Sequence, residues 1–111
     1  MNKEQFINAI EEQLDYCKAL IDVKGDEYNA DSDNTFHNFV AAAAVQGITP
    51  KQALAGMMCK HTVSIYDMCN YGNYPEEMWR EKITDHINYL LLLMAMVVVE
   101  NEVLKDENKS N

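Results

Sequence analysis

The feature that most constrains the fold of this chain is an unbroken apolar run from Tyr89 to Val99, "YLLLLMAMVVV". The run is too short to cross a bilayer as a helix, which needs about 20 residues. It lies inside a longer helical pattern, so it predicts a helix that is apolar on every side. A surface helix of a small monomer has a polar outer face. The run therefore predicts a homo-oligomer, a dimer or higher, in which a partner helix covers it. A central position within the monomer is the alternative.

Apolar spacing and capping residues predict three further helices before this one. The four predicted helices span residues 3–23, 34–46, 50–70 and 75–105. Lys24 and Gly25 are expected to end the first helix, with Gly as the C-terminal stop. Asn34 or Thr35 is expected to cap the second helix, which Gly47 ends. No stretch predicts a strand. We therefore expect an all-α four-helix bundle, with residues 1–111 as one domain.

The C-terminal helix of this bundle is the predicted surface of oligomerisation, and residues 106–111 are expected to form a polar tail that frays. The third helix has the strongest predicted start. Thr49 is its cap, Pro50 its first residue, and Gln52 can complete a capping box.

Charge and cysteine content exclude several classes of protein. The formal net charge is −9, which argues against a nucleic-acid partner because phosphate contacts need a basic patch. The three cysteines have no CxxC spacing, so we expect neither disulfides nor a zinc site. The first residues lack the pattern of a signal peptide. A soluble, cytoplasmic protein without a membrane partner is therefore expected.

Polar residues on the third and fourth helices share one face of each helix. They are Lys60, Ser64 and Asp67 on the third helix, and Lys82, Asp85, Asn88 and Tyr89 on the fourth. A buried carboxylate is costly unless it is paired or bound to a cation. One interpretation is an internal ion-pair network, with Lys60 pairing Asp85 or Lys82 pairing Asp67. The other is a site for a divalent cation such as Mg²⁺, with the lysines binding phosphate.

An acidic segment, "KGDEYNADSDN" from Lys24 to Asn34, separates the first two helices. It is either a solvated connection or one wall of the same site, and we expect the second. Among the three histidines, His61 is the best candidate for a phosphate contact because it adjoins Lys60. His37 and His86 are expected to be structural or at the surface. Asn38 is a candidate for contact with a base or a sugar.

Five short motifs in this order resemble small phage-encoded proteins of the all-α NTP pyrophosphatase (MazG-like) type. They are similar above all to phage nucleotide-modification-associated domains. The motifs are Lys24 to Tyr28, Phe36 to Phe39, Gly47 to Pro50, Lys60 with His61, and Asp85 to Tyr89. The resemblance covers roughly residues 5 to 100. Their combined order is specific, although each motif alone is not.

The resemblance implies an oligomeric helical protein that binds Mg²⁺ and an NTP or dNTP. Enzymes of this superfamily cleave between the α- and β-phosphates to give NMP and pyrophosphate. Glu27, Asp67 and Asp85 would hold the cation, with the two aspartates catalytic. Lys24, Lys60, Lys82 and His61 would contact phosphates, and Tyr28, Asn38 and Asn88 would position the nucleoside.

The chain departs from the E-x-x-E … E-x-x-D pattern of these enzymes. It has Asp67 but no E-x-x-E on the third helix, and the neutral Asn88 follows Asp85 where a second carboxylate is expected. Three hypotheses follow: a pyrophosphatase, a non-catalytic protein that sequesters a nucleotide or a nucleotide-derived signal, and a purely structural oligomer. A phage-encoded chain would act in the cytoplasm of an infected bacterial host.

Overall fold

The computed structural model describes the backbone of residues 1–28 and 36–110, and the side chains of residues 1–22 and 36–108. This part of the chain forms four α-helices and no strand. They are α1 (Lys3–Tyr28), α2 (His37–Gln46), α3 (Pro50–Tyr71) and α4 (Glu76–Ser110). The prediction of an all-α, four-helix chain is confirmed.

Capping residues determine two of the helix ends as the sequence predicts. At the start of α3, the Gln52 backbone N–H donates to Thr49 Oγ1 at 3.2 Å, and the Thr49 N–H donates to Gln52 Oε1 at 3.0 Å. Pro50 fills the first helical position, where its missing N–H costs nothing. At the end of α2, Gly47 adopts φ 70°, a left-handed conformation that glycine reaches without steric penalty.

Two predicted helix ends are wrong. Helix α1 continues through Gly25 to Tyr28, because a glycine inside a helix costs only about 1 kcal/mol relative to alanine. Helix α4 continues beyond Lys105 to Ser110, since this segment has neither glycine nor proline to stop it. The predicted cap of α2 at Asn34 or Thr35 lies outside the described residues, and α2 begins at His37.

Helix α4 is the element on which both α1 and α3 pack. Helix α1 runs antiparallel to it, and Gln13 Nε2 donates to Thr84 Oγ1 at 2.7 Å. Helix α3 is also antiparallel to α4, with the Lys51–Glu100 ion pair of 2.9 Å joining the start of α3 to the distal part of α4. These contacts position the residues of the candidate site.

Helix α2 packs on α3 through small side chains. Ala43 and Ala53 are both buried, which agrees with the close helix approach that alanines allow. The described core is small, and its buried apolar residues are Cys17, Ala43, Ala53, Leu54, Met68 and Met96. The Cα radius of gyration is 17.0 Å, whereas a compact domain of this length has about 13 Å. The chain is therefore extended.

The apolar segment of α4 is only partly covered in the described structure. Leu90, Leu91, Met94, Val98 and Val99 are exposed, whereas Met96 is buried and Tyr89, Leu92, Leu93 and Val97 are partly buried. The predicted oligomer and its alternative, a central position of α4 within the monomer, both stay predictions.

By length and composition, α4 over Glu76–Asn108 could cross a membrane, a property that core helices of soluble proteins share. The cytoplasmic location also stays a prediction.

Candidate functional site

Three helices meet around Tyr89 on α4. The ring of His61, on α3, lies against the Tyr89 ring with 4.9 Å between centroids. From α2, Phe39 contacts the same tyrosine edge-on, with 6.5 Å between centroids and 75° between ring planes. The capped start of α3 determines the register that places His61 here. The ring of Tyr89 therefore lies at a junction between α2, α3 and α4, where it contacts both other rings.

Charged groups from two helices surround His61 at this junction. Burial lowers the pKa of His61 below its ordinary value of 6.5. The Asp85 carboxylate opposes this shift, whereas the charges of Lys82, His86 and Lys60 add to it. The balance of these effects favours the neutral imidazole of His61. We call these five residues the His61 cluster.

Two buried polar atoms of α4 lie in the same stretch without a hydrogen-bond partner among the described residues. They are His86 Nδ1 and Asn88 Oδ1. Asn88 is only 7% exposed, and a buried acceptor left unpaired costs about 1–3 kcal/mol. By contrast Thr84, one turn earlier, receives its hydrogen bond from Gln13. These two atoms of His86 and Asn88 are available for a hydrogen bond from a water molecule or a ligand.

The structure brings together four of the residues that the sequence singles out for the site. Lys60, His61, Lys82 and Asp85 all belong to the His61 cluster. Asn88, which lies one helical turn beyond Asp85, is buried. The assignment of these residues to one site stays a prediction.

Other predicted site residues do not join this cluster. Asp67 on α3 and Asn38 on α2 are exposed. The side chains of Lys24, Glu27 and Tyr28 lie outside those described, although their backbone belongs to α1. The acidic segment was predicted to be a loop, and its first residues are helical instead.

The proposed metal ligands are only partly tested by this geometry. Among the described side chains, no group of three or more His, Cys, Asp or Glu residues is placed to hold a metal ion. Asp85 is the one carboxylate of the His61 cluster. Mg²⁺ is often held by only one or two protein carboxylates, with water and substrate phosphates as its other ligands. A role for Asp85 of this kind fits the residues present, and Asp67 as a ligand stays a prediction.

A second polar region lies where α1 meets α4. Arg80 Nη1 donates to Gln13 Oε1 at 2.9 Å, and its guanidinium lies 4.8 Å above the ring of Tyr16. A cleft of about 500 Å³ opens beside it. The residues that line this cleft are Glu12, Tyr16, Leu20, Glu76, Glu77, Arg80, Glu81 and Thr84. None of them belongs to the His61 cluster, and the acidic lining does not suit a phosphate.

Sequence reasoning missed three residues at the junction. His86 was expected to be structural, and neither Tyr89 nor Phe39 was assigned to the site. A signal for His86 exists, since it lies four residues after Lys82 and thus on the same side of α4. The contact of His61 with Tyr89 depends on how α3 and α4 are rotated against each other, which spacing along one helix does not reveal.

Comparison with protein families, with curated proteins and with solved structures finds no match for this chain. The resemblance to the MazG-like superfamily therefore depends on the five motifs alone. It stays a prediction, as does the origin of the chain in a phage.

Proposed function

We propose that this protein binds a nucleotide at the His61 cluster. The observation that carries the proposal is the contact of His61 with Tyr89 across α3 and α4, where the charges of Lys60 and Lys82 act on His61 and the buried atoms of His86 and Asn88 lack a partner among the described residues. Among the described side chains that act on the pKa of His61, two ammonium groups accompany one carboxylate, in a chain whose net charge is −9. A phosphorylated small molecule would supply both the opposite charge and the missing hydrogen-bond partners.

Each group of the cluster has a distinct role in this proposal. Lys60 and Lys82 act as point charges for the phosphates. Asn88 Oδ1 accepts a hydrogen bond from an amino or hydroxyl group of the nucleoside. Asp85 would hold Mg²⁺ together with the phosphates, and the ion would neutralise their charge. The ring of Tyr89 covers one side of the site and keeps water from it.

A second candidate is hydrolysis of the bound nucleotide to NMP and pyrophosphate. Burial lowers the pKa of His61, which favours the neutral imidazole that can accept a proton from an attacking water molecule. The water oxygen would bond to the α-phosphorus while the bond from that phosphorus to the bridging oxygen breaks, and pyrophosphate leaves. The single carboxylate of the described cluster and the neutral Asn88 favour binding over this reaction.

The proposal is tested by titrating the protein with a panel of NTPs and dNTPs in a calorimeter, with and without Mg²⁺. Lys60→Gln and Lys82→Gln should each weaken the binding of the preferred nucleotide at least about tenfold, because each removes a charge-assisted hydrogen bond worth about 1.5–3 kcal/mol. Lys18→Gln, at an exposed position of α1, makes the same change in charge and should leave binding unchanged. Equal effects of all three variants would contradict a localised site.

Release of pyrophosphate distinguishes the two candidates. Turnover by the unmodified protein that is lost in His61→Gln, with nucleotide binding retained, would establish hydrolysis. Tight binding of an unchanged nucleotide would establish sequestration. If no NTP or dNTP binds, the nucleotide proposal is wrong and the cluster is a structural charge network.

A further inference from the structure

Asn88 lies where a ligand cannot reach it while the described helices keep their positions. Its side chain is 7% exposed, and its unpaired Oδ1 atom is buried. A nucleoside that donates a hydrogen bond to this atom must first displace the part of the protein that covers it. The covering element therefore determines how a nucleotide enters the site.

Helix α1 is this covering element, because Asn88 points to the side of α4 on which α1 packs. Thr84 contacts α1 through Gln13, and Asn88 follows Thr84 by four residues, which corresponds to about 40° around the helix. Tyr89, which contacts α3, lies about 100° around α4 from Asn88. Since α1 and α4 are antiparallel, the turn of α1 before Gln13, around Ala9, lies opposite Asn88.

Apolar burial holds α1 only weakly against α4. Four of its apolar side chains are 41% to 55% exposed, namely Ile7, Ile10, Leu14 and Phe6. Cys17 is the one described side chain of α1 that is buried, whereas three residues of α3 are buried. Because hydrophobic stabilisation is roughly proportional to the apolar area buried, separation of α1 from α4 loses little of it.

Polar contacts around Arg80 hold α1 instead. The Arg80 guanidinium donates to Gln13 Oε1 at 2.9 Å and lies over the ring of Tyr16, and Gln13 in turn donates to Thr84. We call these four residues the Arg80 clasp. The cleft of about 500 Å³ beside it shows that α1 and α4 are not closely packed there. Since polar contacts of this kind can be exchanged for contacts with water, α1 has the properties of an element that opens locally.

We propose that α1 is a lid over the nucleotide site, which moves away from α4 when the Arg80 clasp opens, admits the nucleoside to Asn88, and closes over the bound nucleotide. This inference rests on the proposed function, because it concerns entry to the same site. No residue of the clasp belongs to the His61 cluster. The clasp thus stabilises the closed lid equally with and without nucleotide. A weaker clasp speeds entry and exit alike and leaves the affinity almost unchanged.

Labelling of Cys17 measures the opening of α1 in the absence of nucleotide. In a chain with Cys59→Ser and Cys69→Ser, which removes the exposed thiols, a thiol reagent should modify the 1% exposed Cys17 only when α1 opens. Arg80→Met should speed this labelling at least about tenfold, because it removes a charge-assisted hydrogen bond. Lys51→Met makes the same change in charge and breaks an ion pair between α3 and α4, but it should leave the labelling rate unchanged.

A second variant of the clasp tests the same step with a smaller change. Tyr16→Leu, at a half-exposed position, removes only the ring beneath the guanidinium and should speed labelling about twofold to fivefold. Circular dichroism should show unchanged helix content in both clasp variants. Labelling that neither Arg80→Met nor Tyr16→Leu accelerates, or that Lys51→Met accelerates equally, would overturn the lid.

Stopped-flow mixing with a fluorescent analogue of the nucleotide that binds best in calorimetry measures entry and exit. Arg80→Met should raise the association and dissociation rate constants by the factor found for Cys17 labelling, with Kd changed less than about threefold. Faster labelling with unchanged association would overturn the lid and leave nucleotide binding intact. A weaker Kd without faster association would make Arg80 a binding residue instead. Absence of nucleotide binding in the unmodified chain and in every variant would contradict the proposed function, and the lid with it.

Discussion

The unpaired acceptor of Asn88 leads to an unusual prediction, that an apolar replacement of this polar side chain should stabilise the protein. Its side chain is 7% exposed, and Oδ1 has no partner among the described residues. Burial of an acceptor without a hydrogen bond costs about 1–3 kcal/mol. Leucine has a similar volume and no polar atom. Asn88→Leu should therefore raise the free energy of unfolding by about 1–3 kcal/mol, which corresponds to at least about 4 °C in Tm for a chain of this size.

The matched control is Thr84→Val, one turn earlier on the same helix. Thr84 is also buried, at 4% exposure, but its Oγ1 accepts the 2.7 Å hydrogen bond from Gln13 Nε2. Loss of this hydrogen bond in Thr84→Val should lower the free energy of unfolding by about 1 kcal/mol. Scanning calorimetry and urea titration at one fixed protein concentration would measure both variants, since association makes Tm depend on concentration. Asn88→Leu should also lose nucleotide binding in the calorimetric titration.

A destabilised Asn88→Leu would refute the reasoning. If its Tm falls by as much as that of Thr84→Val, Oδ1 has a partner in solution, and the buried acceptor no longer argues for a ligand. A stabilised variant that binds nucleotide as before would separate the two claims, because the cost of the unpaired atom would stand while its role in binding would not.

Five other predictions concern glycines, a helix cap, the core and pH. Gly47→Ala should cost about 1 kcal/mol in a urea titration because φ is 70° there, whereas Gly56→Ala should stabilise α3 by about 0.4–1 kcal/mol, as no atom lies within 4 Å of the added Cβ. Thr49→Ala should cost about 1 kcal/mol through loss of the cap. Leu54→Ala, at a position that is 0% exposed, should cost about 2–5 kcal/mol. Burial lowers the pKa of His61, so the unfolded chain binds more protons just below pH 6.5. Stability should then fall as pH drops through that window, and His61→Gln should flatten this part of the pH profile.

Helix ends were predictable where a local interaction decides them. Thr49, Pro50 and Gln52 form a cap whose atoms lie within four residues of one another, and the structure has the cap that the sequence indicates. Gly25 is different, because glycine permits a helix end without requiring one. Only Gly47 adopts a left-handed conformation among the glycines of the described chain, and the start of α3 at Thr49 and Pro50 requires α2 to end near it, whereas no such start follows Gly25 directly in the sequence.

The residues of the candidate site also fall into two groups, those whose placement the sequence indicates and those whose placement it does not. Helical spacing predicted that Lys82 and Asp85 share a side of α4, and the charges of both residues and of Lys60 act on His61. The exposure of Asp67 could not be predicted, because it depends on the rotation of α3 against α4. The contact of His61 with Tyr89 depends on that rotation too. The sequence thus predicts which side chains share a face of one helix. Which side chains of two different helices come into contact can be read only from the structure.

The corner that joins α3 to α4 contains the single tryptophan of the chain, Trp79, whose ring meets Tyr74 edge-on at 6.2 Å. Its fluorescence emission therefore reports on this corner alone, while circular dichroism at 222 nm reports on all helical residues, including the long α1. Coincident transitions of the two signals would show that the helices melt as one cooperative unit. An earlier dichroism transition would show that α1 detaches while the corner remains folded.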